Sequence, residues 1–467
     1  MRKLLGPLLA ALAALLLAAP FAAADTYTVT RTDDPVPDGC QPDQCSLREA
    51  LMASNNTTTV DDVVVVPAAT ASYRIQYEEL SLAITDQVEV RGAGADRSVV
   101  EGDGKETVFT ITAPTVISGI TIKGGAGGIN HNAALTLRGV SVEHNKREAA
   151  GGGIQSNGPL LIESSFLGFN STPGISGGAI QANSSLTVIN STFTRNSSQA
   201  NSAILGNGAV TISSSTIAFN ESGGVTSPAV SGSPLTVRDS IFAANTNTTG
   251  SANCSSFTVF TSLGGNVDDG SSCTGAASDR PNVNPLLGTL ALHGGPTQLY
   301  DLLPGSPAID AASQCPPFDQ RGAPRPQGAA CDSGSYEFVP VVVPPPPDTK
   351  LDLRLEKGKL SLTRKGVVVV SLTCLPAEVS PPCSGKVRIK TRKKVELGEQ
   401  RRKVLLATAS FQIAAGKTKK VALRLPAGKA ELLREVADAR KVQVVVRAGD
   451  AAGNLAVLKK PRAIVPR

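Results

Sequence analysis

A pattern of about 25 residues repeats five times in the middle of the chain, and each copy ends in an asparagine. The copy LTVINSTFTRN is typical, and two similar copies lie on either side of it. Successive closing asparagines are 25, 26, 24 and 25 residues apart, and they are Asn145, Asn170, Asn196, Asn220 and Asn245. A period of this length indicates a repeat architecture in which each copy is one structural unit.

Each copy contains three short alternating segments, such as Leu186–Val188, Thr192–Thr194 and the GGAIQANSS segment before them. Apolar residues at every second position predict strands with one apolar face. One turn alone cannot bury that face, whereas turns stacked about 4.8 Å apart bury it against one another. The sequence therefore predicts an all-β fold whose main part is a right-handed parallel β-helix, a solenoid of the pectate-lyase type.

The closing asparagines are expected to stack inside this solenoid. Asparagine tolerates left-handed backbone, and its amide can bond both to the bend and to the asparagines above and below. We therefore predict that the five asparagines form an internal structural ladder, with ligand binding as the alternative role. Beside the ladder we expect an apolar column with one member in each turn: Val142, Phe166, Phe193, Ile217 and Phe242.

Composition divides the chain into six segments. Residues 1–24 have a basic start, an apolar run and an Ala-Ala-Ala end, which predict a secretory signal peptide, with a retained membrane anchor as the alternative. No later run of eighteen apolar residues occurs, so no transmembrane segment is expected in the mature chain. The other segments are predicted to be an N-terminal cap with a capping-box helix (25–62), the β-helix (63–283), a C-terminal wrap of the β-helix (284–338), a stiff proline-rich linker (339–349) and a basic immunoglobulin-like β-sandwich (350–467).

The eight cysteines fall into four pairs of close neighbours. An even number of cysteines in a secreted chain predicts disulfides, and local pairing is the simplest pattern, although the sequence alone does not fix it. Zinc is the alternative, but no Cys-x-x-Cys spacing occurs. We therefore expect no metal and these disulfide partners: Cys40 and Cys45, Cys254 and Cys273, Cys315 and Cys331, and Cys374 and Cys383.

The net charge of +6 hides a strong division along the chain. From Asp348 onward there are 28 basic and 10 acidic residues, whereas residues 1–347 hold 17 basic and 29 acidic ones. Alternating basic residues in a strand share one face, so an anion-binding surface is predicted, with a merely solvated face as the alternative. Its members would be Lys386, Arg388, Lys390, Arg392, Lys393, Lys394, Arg401, Arg402 and Lys403.

The partner expected for this surface is an anionic cell-wall polymer or polysaccharide. Nucleic acid is not expected, because no aromatic residue interleaves the basic runs and the chain is predicted to leave the cytoplasm. For catalysis the sequence offers little, because the repeats contain few acids. The best candidates are Asp96, Glu101, Asp103, His131 and His144, and we expect turns or satisfied side chains at these positions. No catalytic residue and no cofactor are therefore predicted.

Two sets of motifs resemble known families. The segment CSLREA at residues 45–50, after the strand-like Tyr27-Thr28-Val29, resembles the CSLREA domain at the start of secreted bacterial β-helix proteins. Later motifs resemble the choice-of-anchor Q family, and they are NPLL (284–287), HGGPT (293–297), LPGSPAID (303–310), DQRG (319–322) and CDSGSYE (331–337). The two sets bracket residues 26–338, and the basic C-terminal part resembles β-sandwich domains of secreted actinobacterial proteins.

The resemblance implies a secreted or cell-surface protein, without catalytic residues that can be carried over. No LPxTG-like motif or terminal apolar helix follows, which argues against covalent anchoring. Within the wrap, Asp319, Arg321, Asp332 and Glu337 are expected to form ion pairs. We therefore expect a non-enzymatic protein that binds a glycan or the envelope, held there by its basic domain. The alternative is a polysaccharide lyase or glycoside hydrolase, which would need carboxylates and bases from successive turns on one outward face, and we predict that no such group exists.

Overall fold

The computed structural model describes residues 24–57, 61–174, 176–340, 348–397 and 399–466. The predicted signal peptide, apart from its last residue, and most of the predicted linker lie outside the described residues. The chain divides into two compact units between residues 341 and 342. In the described part of the chain, no helix is both long and apolar enough to cross a membrane.

The first unit is a parallel β-solenoid with three sheets, and successive turns pair in register. The first sheet contains Thr26–Thr28, Asp62–Val66, Val88–Gly92, Thr115–Ser118, Leu135–Arg138, Leu160–Glu163, Leu186–Ile189, Val210–Ser213, Leu235–Arg238 and Phe260–Ser262. The second sheet contains Tyr73–Ile75, Val99–Gly102, Thr121–Lys123, Ser141–Glu143, Phe166–Gly168, Thr192–Thr194, Thr216–Ala218, Ile241–Ala243, Val267–Asp268 and Arg280–Pro281. The third sheet contains Leu82–Ile84, Phe109–Ile111, Ile129–His131, Ile154–Ser156, Ile180–Ala182, Ile204–Gly206, Val230–Gly232 and Cys254–Ser256.

Smaller elements complete this unit. A short fourth sheet contains Ser197–Ser198, Glu221–Ser222, Thr246–Asn247 and Gly250–Ser251, and a 3-10 helix spans Tyr77–Glu79. The helix Leu47–Ser54 has the predicted capping box, since Ser46 Oγ accepts from Glu49 N at 3.3 Å and Glu49 Oε2 accepts from Ser46 N at 2.7 Å. The first strand pairs with residues 63–65, so the first sheet already begins inside the segment predicted as a cap.

The apolar column differs from the prediction in one turn. The register aligns Val142, Leu167, Phe193, Ile217 and Phe242, and all five side chains are buried. Phe166 instead aligns with Thr192, on the opposite face of its strand. That outward face is itself buried, so two neighbouring apolar residues fit there and hydrophobicity alone could not decide which of them points inward. The inclusion of Phe166 in the column was therefore wrong.

From the turn of Phe166–Gly168 onward, the outward face of the second sheet is covered by residues 284–338, hereafter the strap. The strap begins with an antiparallel hairpin, Leu287–Ala291 and Leu299–Leu302, and then continues without regular structure. Thr297 Oγ1 donates to Ser164 O at 3.4 Å, and Gln320 Oε1 accepts from Thr192 Oγ1 at 2.7 Å. In the CDSGSYE motif, consecutive residues bond to consecutive turns: Ser335 N to Thr216 Oγ1, Gly334 N to Asp239 O and Ser333 Oγ to Gly265 O.

The second unit is a separate region of antiparallel and mixed sheet. Its strands are Leu353–Leu355, Leu360–Leu362, Val367–Cys374, Cys383–Thr391, Val395–Leu397, Gln400–Arg402, Leu405–Ile413, Thr418–Arg424, Lys441–Gly449 and Leu455–Pro466, with helices Ala427–Glu435 and Ala437–Arg440. One layer pairs Val367–Cys374 with Thr418–Arg424, and the other orders Leu405–Ile413, Cys383–Thr391, Lys441–Gly449 and Leu455–Pro466. Both layers contribute to one apolar core. The predicted fold class, a β-solenoid followed by a small β-sandwich, is confirmed.

Candidate functional site

The five closing asparagines form a hydrogen-bonded ladder inside the solenoid. Along it, each Nδ2 donates to the Oδ1 of the next asparagine, at 3.1 Å from Asn145 to Asn170, 3.1 Å from Asn170 to Asn196, 2.9 Å from Asn196 to Asn220 and 2.8 Å from Asn220 to Asn245. The same Oδ1 atoms also accept from backbone amides of the previous turn. All five side chains are buried, so none offers an open surface to a ligand.

The left-handed residue of each bend precedes the asparagine. Its φ lies between 53° and 58° in the five turns, which hold His144, Phe169, Arg195, Phe219 and Ala244 at this position. Such a conformation is strained for residues with a Cβ. The asparagine supplies the side-chain amide hydrogen bonds of the ladder, and the residue before it adopts the left-handed conformation. Because five different residue types occupy this position, it could not be predicted from a repeated residue.

A second asparagine ladder runs along the outside of the solenoid, and sequence analysis missed it. Asn157 Nδ2 donates to Asn132 Oδ1 at 2.9 Å, Asn183 Nδ2 to Asn157 Oδ1 at 2.7 Å and Asn207 Nδ2 to Asn183 Oδ1 at 2.7 Å. These side chains are exposed and follow the strands of the third sheet. Their spacing of 24 to 26 residues matches that of the inner ladder, so the same periodicity search could have found them.

Of the histidine candidates, His131 is fully buried and points into the solenoid beside Ile111 and Ser156 of neighbouring turns. Its Nδ1 lies 2.8 Å from Ala133 O, and its Nε2 has no hydrogen-bond partner among the described residues. Burial lowers the pKa of His131 below its ordinary value, because the charged ring would lose its hydration. His131 is therefore a core residue and cannot reach a substrate.

A column of alternating charges lies on the outward face of the second sheet, before the turns that the strap covers. Register aligns Arg74 with Glu101, Glu101 with Lys123 and Lys123 with Glu143 on four successive turns. Lys123 Nζ lies 3.7 Å from Glu101 Oε2. A hydrogen bond from Ser72 and the charge of Lys123 lower the pKa of Glu101. The prediction that no outward face combines carboxylates and bases from successive turns was wrong.

This column borders a cleft of about 380 Å³ between the sheet and the strap hairpin. Asp96, Lys123 and Glu143 line one side, and the strap residues Leu292 and Pro296 line the other. The remaining candidates lie elsewhere: Asp103 accepts from Lys105 N at 3.0 Å in a turn, and His144 stacks on Phe169 with ring centroids 4.7 Å apart. The structure thus brings the candidates Asp96 and Glu101 close to Lys123 and Glu143, which sequence analysis did not select.

The predicted ion-pair residues of the strap surround a buried arginine that the sequence did not single out. Asp319 pairs with Arg321 at 2.7 Å, whereas Glu337 lies 3.5 Å from Arg325. The side chains of Arg325 and Glu337 are fully buried. Arg325 also donates to Asp332 O at 2.7 Å and Gly334 O at 2.8 Å, which fixes the CDSGSYE segment. Burial raises the pKa of Asp332 to about 6. This cluster fastens the strap and is closed to ligands.

All four close cysteine pairs are disulfides. They join Cys40 to Cys45, Cys254 to Cys273, Cys315 to Cys331, and Cys374 to Cys383, and no free cysteine occurs in the described chain. Because their sulfur atoms are bonded to each other, they are not available as zinc ligands. Four disulfides are consistent with an oxidising, extracellular location.

The outward face of the four-stranded sandwich layer carries a basic surface, hereafter the basic face, of Lys386, Arg388, Lys390, Arg447 and Lys459. Lys386 aligns with Arg447, and Val445 aligns with both Arg388 and Lys459 on its two sides. Neighbouring strands lie about 4.8 Å apart and alternate residues of a strand about 7 Å apart, so these cations form a dense patch. None of the four strands contains Asp or Glu, and no ion pair involves the five cations in the described structure.

The other predicted anion-binding residues lie apart from the strand face. Arg392, Lys393 and Lys394 follow the strand Cys383–Thr391, and Lys393 pairs with Asp438 at 3.8 Å. Arg401 and Arg402 belong to a small hairpin in which Arg401 aligns with Glu396, and Lys403 follows it. Only Lys386, Arg388 and Lys390 of the predicted set share the basic face, and the sequence did not link them to Arg447 and Lys459, about 60 and 70 residues further on.

Fold and surfaces together define a strapped parallel β-solenoid protein with a basic β-sandwich. No family model matches the chain, and no curated protein is significantly similar to it. The likeness to the CSLREA and choice-of-anchor Q families therefore stays a prediction.

Proposed function

We propose that this is a non-enzymatic, secreted or cell-surface protein that attaches to an anionic polymer of the cell envelope through the basic face. The observation that carries the proposal is the set of five cations on one sheet surface without an acidic residue in its strands. Regular spacing of cations along and across strands suits a polymer with repeated phosphate or carboxylate groups. The solenoid would then be displayed on the cell envelope, and its outward faces would be available for adhesion or glycan binding.

The test is co-sedimentation of the mature full chain with purified actinobacterial cell walls at low and high salt. We expect the protein to pellet at low salt and to be released at high salt, because exposed charges are screened. The variant K386Q/R388Q/K390Q should lose most of this binding. The control K420Q/R424Q/K429Q removes the same charge from the other strand layer and the helix and should retain binding. Equal losses in both variants would show that net charge alone, and not the basic face, drives binding.

A second candidate function, cleavage of a polysaccharide, rests on the cleft beside the charge column. Glu101 and Glu143 are two strands apart, a backbone separation of about 10 Å, which is close to the carboxyl separation in inverting glycosidases, about 6.5–9.5 Å. Lys123, however, stands between them and pairs with Glu101, as expected for a structural ion-pair ladder. Soluble sugars in the supernatants of the same assay, abolished by E143Q, would establish the enzymatic function and refute the non-enzymatic one.

A further inference from the structure

Three carboxylates meet at one end of the sandwich, where the chain enters it. Asp348 is at the start of the unit, Glu378 lies in the loop before the strand Cys383–Thr391, and Asp450 lies in the loop before the last strand. One oxygen atom of each carboxylate lies within 4.8 Å of one oxygen of the other two. Three such charges at this distance repel one another unless a cation or protons offset them.

N–H donors offset part of this repulsion, but no cation among the described residues does so. No lysine or arginine forms an ion pair with any of the three in the described residues, although the unit is strongly basic. Asp348 is partly buried, and its Oδ1 accepts from Lys350 N at 3.3 Å, whereas its Oδ2 is shielded from solvent and has no hydrogen-bond partner in the described part of the chain. A buried carboxylate oxygen without a donor is costly, and it indicates a missing positive partner.

The other two carboxylates are held in place from outside the cluster. Glu378 is 5% exposed, and its two oxygens accept from Asp352 N at 2.8 Å and Ser380 N at 3.0 Å. Asp450 accepts from Asn454 N at 2.9 Å and from Asn454 Nδ2 at 3.0 Å. Asn454 Nδ2 also donates to Asp348 O at 3.1 Å, which ties the entering segment to the loop. The carboxylates are thus oriented before any ion arrives.

We propose that Asp348, Glu378 and Asp450 bind a Ca²⁺ ion. Oxygen-only ligands from several loops suit Ca²⁺, which accepts six to eight oxygens in flexible geometry, with water completing the shell. Mg²⁺ requires a stricter octahedron and gives up water reluctantly, so it should bind more weakly here. The ion would fasten the entering segment and two loops to one another. This inference is independent of the function proposed for the basic face.

The experiment uses the mature full chain, freed of metal with a chelator and titrated with Ca²⁺ by calorimetry. We expect a site that D348N and D450N each weaken at least tenfold, whereas D438N, which changes an exposed aspartate paired with lysines in the same unit, leaves it unchanged. Glu378 is not substituted, because its two backbone hydrogen bonds make a folding defect hard to separate from lost binding.

Differential scanning calorimetry supplies a second measurement. Ca²⁺ at a hundredfold excess over its dissociation constant should raise the midpoint of the sandwich transition by at least about 5 °C. The rise should be absent in D348N and D450N and present in D438N. Absence of the site in the wild type, or its full retention in both D348N and D450N, would overturn the proposal. An equal response to Mg²⁺ would overturn the assignment to Ca²⁺.

Discussion

Replacing the central asparagine of the inner ladder by alanine tests how much the ladder stabilises the solenoid. Asn196 Oδ1 accepts from the backbone N–H and from the Nδ2 of Asn170, both at 3.1 Å, and its Nδ2 donates to Leu167 O and Asn220 Oδ1 at 2.9 Å. Asn196→Ala therefore removes four buried hydrogen bonds. It leaves the Asn170 backbone N–H and the Leu167 carbonyl without these partners in the interior of the solenoid, where Asn170 and Asn196 are fully buried.

The expected loss of unfolding free energy follows from those two backbone groups. An unsatisfied buried donor or acceptor costs about 1–3 kcal/mol, so N196A should lower the unfolding free energy of the solenoid by about 2–6 kcal/mol. The exposed ladder provides a matched control. Asn207→Ala removes one exposed bond, from Asn207 Nδ2 to Asn183 Oδ1, and should cost about 0.5 kcal/mol or less.

The assay is urea unfolding followed by tyrosine fluorescence. The chain has no tryptophan, and all five tyrosines lie in the solenoid unit, so the signal reports that unit alone: Tyr27, Tyr73, Tyr77, Tyr300 and Tyr336. If N196A costs no more than N207A, the buried ladder is not a major source of stability and the reasoning from orphaned backbone groups fails.

Three further predictions use the same signal. The pKa of His131 lies below the ordinary histidine value of 6.5 in the folded state, so the unfolded state binds more protons as the pH falls below 6.5. From pH 6.5 to pH 5, the unfolding free energy of the wild type should therefore fall relative to that of H131L, by at most about 1.4 kcal/mol per pH unit. A difference between the two proteins that does not change with pH would contradict this. R325M leaves Glu337 buried without its cation and should lower the unfolding free energy by about 3–5 kcal/mol. A loss below about 1 kcal/mol would show that the strap is not stabilised by this ion pair. A244G relieves the strain of an alanine in the left-handed conformation and should raise the unfolding free energy by about 0.5 kcal/mol. The control A182G lies in a strand and should lower the unfolding free energy. If both substitutions change the unfolding free energy in the same direction, the strain argument is refuted.

The solenoid could be predicted because the same sequence pattern occurs in each of five turns. Each turn carries its own strands and its own asparagine, so five weak signals with one period add up to a strong one. The register of one strand was not predictable, because Phe166 and Leu167 are both apolar and both faces of that strand are buried. In that turn, burial by the strap removed the alternation on which strand prediction depends.

The candidate sites were harder to predict, since they depend on residues that are distant in sequence. The basic face joins Lys386 to Arg447 across neighbouring strands, and the alternation Lys-x-Arg-x-Lys could indicate only one of those strands. Arg325 is one of two arginines in the strap, and only the fold shows that it is buried against Glu337. The carboxylates Asp348, Glu378 and Asp450 span about a hundred residues, and the entering segment and two loops bring them together.

The strap also limits how the gene can change in length. Its bonds to Ser164, Thr192, Thr216, Asp239 and Gly265 follow five successive turns, and Ser333, Gly334 and Ser335 match the last three of them one by one. Duplication of a turn within this stretch would move the later bonding partners by about 4.8 Å and leave a strap of unchanged length out of step. Whole-turn duplications are therefore expected to survive only upstream of Ser164, where the strap makes no such bond to a turn among the described residues.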